Sequence, residues 1–113
     1  MNTYNFDGND FKCVFATDGW KIGLLRFSDR FSKLSMFERH LKTPEIFVLL
    51  SGNAVLYERK SDGSVISTEM EFGKVYEIEK GKWHHITVSE NATVLVVENA
   101  DTSKENTEKG DIL

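Results

Sequence analysis

Turn-forming clusters cut this chain into short runs of alternating apolar and polar residues, and nowhere does it sustain a helical period. That punctuation constrains the fold more than any other feature. Phe11 to Thr17 stops at Asp18-Gly19 and Trp20 to Phe27 resumes beyond it, and Asp-Gly suits the positive-φ positions of a tight hairpin turn. Ser61-Asp62-Gly63-Ser64 separates Ala54 to Lys60 from Val65 to Phe72, and Ser89-Glu90-Asn91 separates His84 to Val88 from Ala92 to Glu98. With Lys33 to His40, Ile46 to Leu50 and Val75 to Ile78, the spacing predicts about eight or nine short strands, hence an antiparallel sandwich or barrel. The lone Pro44 stands at a strand start, where its missing donor costs least.

One stretch concentrates ligand-type side chains. In Glu38-Arg-His-Leu-Lys-Thr-Pro-Glu-Ile-Phe-Val-Leu-Leu-Ser-Gly52, strand alternation puts Glu38 and His40 on one face and Arg39 on the other. The turn at Thr43-Pro44 then delivers Glu45 to the start of an apolar strand, whose inward Phe47 and Leu49 read as pocket wall or core. Gly81-Lys-Trp-His-His85 adds two more imidazoles. Two hairpin turns separate the stretches, so their strands can lie side by side and return His84 to His40 and Glu45. By alternation His85 faces away from His84 and shares its face with Trp83, so His85 reads as a surface or supporting residue and Trp83 as packing. Tyr57, on an alternating strand, reads as a sheet-face aromatic.

The spacing of these residues resembles the cupin superfamily. His40, Glu45 and Gly52 fall on the second His, the Glu and the closing Gly of its first motif, and Gly73, Gly81 and His84 fall on its second. The resemblance covers roughly residues 33 to 99. It departs from the pattern at Ser32, Glu38, Glu79 and Val88, where the family has Gly, His, Pro and Asn. Gly-Lys-Trp-His is also similar to the Gly-x-Trp-His stretch of ureidoglycolate lyase, a cupin-like enzyme of purine breakdown. The resemblance implies an all-β, antiparallel jelly-roll barrel with a divalent transition metal (Zn, Mn, Fe or Ni) on His40, Glu45 and His84, and Glu38 as a fourth ligand. Imidazole with carboxylate suits such ions better than Ca. It further implies isomerases, lyases, decarboxylases or dioxygenases acting on sugar acids, sugar phosphates or small oxo-acids.

The chain of 113 residues fits one domain, here placed at 1–100, with 101–113 as a polar, mobile tail. A formal charge of −4 gives no electrostatic reason to bind nucleic acid or an anionic membrane. There is no run of eighteen apolar residues and no basic-then-apolar leader, so a cytoplasmic protein is expected. The single Cys13, flanked by Val14 and Phe15, reads as a small buried hydrophobe in a reducing compartment. Ile46, Val48 and Leu50 give their strand a second apolar face, which predicts a homodimer unless residues 11–27 cover it. Three functional readings stay open. They are a metal-dependent lyase or isomerase of a small polar metabolite such as a sugar acid or ureido acid, a non-catalytic small-molecule sensor, and a metal-free enzyme using Glu45 or Glu38 as base with His84.

Overall fold

In a computed structural model of the protein, residues 1–101 and 107–110 are described. Among the described residues ten strands run in the order β1 (Phe11–Thr17), β2 (Trp20–Arg26), β3 (Phe37–His40), β4 (Glu45–Ser51), β5 (Ala54–Arg59), β6 (Val65–Glu69), β7 (Val75–Ile78), β8 (Trp83–Val88), β9 (Thr93–Asn99) and β10 (Thr107–Gly110). They form two five-stranded sheets, β1-β2-β9-β4-β7 and β10-β3-β8-β5-β6, whose strand pairs are antiparallel. The fold is the expected all-β jelly-roll barrel.

The core lies between the sheets and follows strand alternation. Phe47 and Leu49 of β4 and Val94 and Val96 of β9 meet Leu56 of β5 and Ile86 and Val88 of β8 in one buried cluster. Burying each such side chain is worth about 1.5–3 kcal/mol, and this holds the two sheets together. At Gly52 a Cβ would lie 2.6 Å from the Ala92 Cα, and φ is +74°. The turn after β4 therefore approaches the backbone just before β9 as only glycine allows.

Four expectations change. The segment from Lys33 to Met36, read as the first half of a strand, is an irregular crossing that follows a single 3-10 turn, Asp29–Phe31, and β3 begins only at Phe37. The turn carries Phe31 into the core. Cys13 is exposed, because β1 is an edge strand whose register shifts between Cys13 and Phe15. Within the segment expected to be a tail, Thr107–Gly110 pairs with β3. Backbone pairing demands no apolar composition, which is why the sequence does not reveal this strand. The rest of that expectation, at 102–106 and 111–113, lies outside the described residues. Finally, β1 and β2 extend the sheet that contains β4, so they lie beside its outer face rather than over it.

Candidate metal centre

The site forms where four inward-facing strand positions change from apolar to polar at the same end of the barrel. Glu45 opens β4, His84 stands near the start of β8, His40 closes β3 and Glu98 lies near the end of β9. Two pairings fix their relation: Glu38 lies opposite His84, and Glu45 lies opposite Glu98. The Gly81 amide donates to the His40 carbonyl over 2.8 Å, tying the end of β3 to the turn that launches β8. Gly81 has φ of +78°, which favours glycine in that turn.

The two imidazoles converge on one carboxylate oxygen. His84 Nε2 lies 3.1 Å and His40 Nε2 3.3 Å from Glu45 Oε1. All three side chains are buried, and their donor atoms lie within 4.8 Å of one another. His40 Nε2 is buried without a hydrogen-bond partner. On the far side of each ring, His84 Nδ1 lies 3.0 Å from the Lys82 carbonyl and His40 Nδ1 lies 2.9 Å from Thr107 Oγ1. A carbonyl only accepts, so Nδ1 of His84 carries the proton, and in the neutral ring Nε2 then points a lone pair at Glu45. The His84 lone pair, the unpartnered His40 Nε2 and a carboxylate facing one another call for a cation or shared protons between them. Metal–ligand bonds of about 2.1 Å set neighbouring donors roughly 3.0–3.4 Å apart, and the observed 3.1 and 3.3 Å fit.

The electrostatics agree with this arrangement. Burial opposes the Glu45 charge, but the His40 and His84 rings beside it outweigh burial and hold the carboxyl well below the usual range. Burial would also lower the His40 value, yet the neighbouring carboxylates of Glu45, Glu38 and Glu98 raise it overall. Glu98 was not singled out from the sequence. Burial first, then the charge of and hydrogen bond to Glu45, push it up to about 7, against which the partial pull of Lys21 at 3.9 Å does not prevail. The sequence signal was available: Val94, Val96 and Glu98 share the inner face of β9, so an acid ends an inward apolar row.

Of the four expected ligands, the structure gathers His40, Glu45 and His84. Glu38 lines the same cavity, but the cluster of three does not include its carboxylate. His85 is on the opposite face of β8, where its Nε2 lies 3.2 Å from the Lys33 carbonyl, and Arg39 stacks on Trp83 on that outer face. The cavity beside the cluster measures about 130 Å³ and is walled by Phe11, Leu25, Phe31, Phe47 and Val96, with Glu38, Glu98, Arg30 and His85 as polar lining. Arg30 Nε is also paired with Asp10, at 2.9 Å.

The fold matches known structures. A cupin-2 domain protein from Shewanella frigidimarina superposes with a TM-score of 0.66 at 17% identity, over 83% of this chain and 84% of that one. The fold is that of the cupins. Pac13, a nucleoside dehydratase, superposes at 0.71 with 8% identity over 98% and 92% of the two chains. The iron(II) form of HppE superposes at 0.58 with 12% identity over 79% of this chain and 48% of that one. No protein-family model and no curated protein sequence matches the chain. The chain thus has the cupin fold and a His40-Glu45-His84 cluster with the spacing to hold a metal ion, and among the described residues no helix is long and apolar enough to cross a membrane.

Proposed function

We propose that this cupin barrel binds one divalent transition metal through His40, Glu45 and His84 and acts on a small polar metabolite as a lyase or isomerase. The observation that carries this reading is the convergence of three buried ligand-type side chains, of which His40 Nε2 is buried without a hydrogen-bond partner. When bound, such an ion supplies Lewis acidity toward a carbonyl or hydroxyl oxygen. The residues of the chain do the rest. Glu98 holds a proton near neutrality beside Glu45, Glu38 accepts hydrogen bonds from substrate hydroxyls, and the apolar wall excludes water. A cavity of this size suits a compact metabolite, with sugar acids and ureido acids as the first classes to assay.

Titration of metal-free protein with Zn, Mn and Ni tests the metal. One equivalent should bind, and His84→Ala should abolish binding while the protein still folds. Both imidazoles must be unprotonated to bind. Because His40 is raised, affinity should begin to fall above the ordinary value of 6.5 and drop about tenfold for each further pH unit. Absence of stoichiometric binding, or His84→Ala binding as tightly as wild type, would sink the reading. A metal-free acid–base enzyme then takes its place, supported by the proton-sharing Glu45–Glu98 pair.

For association, a second copy seated on the outer face of the β4 sheet is the proposed partner. Leu50, Trp20 and Val75 are exposed there, and Ile46 and Val48 are half-buried. Light scattering should give twice the 12.9 kDa chain mass, and a monomer at micromolar concentration would remove this proposal.

A further inference from the structure

Strand β10 stands outside both sequence motifs, yet it reaches the site. Its register on β3 puts Thr107 opposite His40, Glu108 opposite Arg39 and Gly110 opposite Phe37. Two contacts on the outer face pin that register. Arg39 Nε donates to Glu108 Oε1 over 2.7 Å, and Gly110 lies so close to Trp83 that a Cβ would sit 3.0 Å from its ring. Alternation then turns Thr107 to the face that His40 occupies, where its hydroxyl lies 2.9 Å from Nδ1. The two residues are 67 positions apart.

We propose that Thr107 is the positioning residue for His40: its hydroxyl oxygen accepts the Nδ1 proton and holds the tautomer whose Nε2 lone pair faces Glu45 and His84. The inference rests on the metal reading for its consequence, though not for its geometry. His84 obtains the same fixation from the Lys82 carbonyl, a main-chain group on its own strand approach. For His40 the corresponding group comes from a strand that joins the sheet from the far end of the chain. A hydrogen bond that fixes ring orientation and tautomer typically contributes 10–100-fold to metal affinity. The C-terminal strand is thereby part of the binding site and not only an edge cover.

The test compares Thr107→Val, which keeps the shape and removes the hydroxyl, with Thr107→Ser, which restores it, and with Glu108→Gln, which loosens the strand but leaves the hydroxyl in place. Zn and Mn titrations should show a loss of about 10–100-fold for Thr107→Val and near wild-type affinity for Thr107→Ser and Glu108→Gln. Independently of any metal, nitrogen NMR of the His40 ring in metal-free protein should show the Nδ1-protonated tautomer in wild type and Thr107→Ser, and a mixture in Thr107→Val. An unchanged His40 tautomer in Thr107→Val overturns the proposal, as does an equal loss of affinity in Glu108→Gln, which would reduce the role to strand attachment. Wild-type protein that binds no metal defeats the metal reading alone, and the NMR comparison then decides the role of Thr107.

Discussion

The two ends of the barrel interior are built from the same four strands and differ in chemistry. Reading inward positions toward the open end, β4 runs Leu49, Phe47, Glu45, and β9 runs Val94, Val96, Glu98. In the same direction β8 runs Val88, Ile86, His84, and β5 runs Ala54, Leu56, Glu58. Neighbouring strands are antiparallel, so the polar residue comes first in β4 and β8 and last in β5 and β9. One end is closed by interdigitated aliphatic side chains. The other gathers ionisable groups that repel one another unless a proton or cation intervenes. The lesson is a division of labour: the closed end carries stability so that the open end can hold groups that cost it.

Substitutions at the two ends should therefore differ in sign. Leu49, 3% exposed, sits at the closed end, and Leu49→Ala should lose about 2–5 kcal/mol in denaturant unfolding because the surrounding β-strands cannot collapse into the space. A loss below about 1 kcal/mol would show that this end is loosely packed and break the contrast.

The open end should respond in the opposite direction and less strongly. The folded Glu98 carboxyl titrates near 7, whereas its ordinary value is 4.5. Between these values the folded chain keeps a proton that the unfolded chain releases, so wild-type stability falls as pH rises through the window. Glu98→Gln cannot ionise and escapes this loss. In metal-free protein its melting temperature should exceed wild type by roughly 4 °C above pH 7, and the gain should shrink toward pH 4.5. A variant less stable than wild type at pH 8 would show that Glu98 supports the fold instead of straining it.

Residue periodicity carried much of this. The turn clusters at Asp18-Gly19 and Ser61 to Ser64 located real hairpins, and alternation correctly separated His84 from His85 and His40 from Arg39. His40, Glu45 and His84 were legible because motif spacing survives without knowledge of the fold. Glu98 was missed because it looks like the polar end of an ordinary strand until its pairing with Glu45 is seen. Cys13 was misplaced because local apolar neighbours do not say that a strand lies at an edge.

The sequence by itself determined the strand pattern, the inner and outer faces and the identity of three clustered donors, since side-chain alternation is a local property of the backbone. Tertiary structure alone decided which strands become neighbours. That choice placed Glu98 against Glu45, and brought Thr107 to His40 from a segment whose composition gives no apolar reason to order. Both depend on register between strands distant in the chain. Such register is set by the summed fit of the packed sheets and not by any one residue's preference.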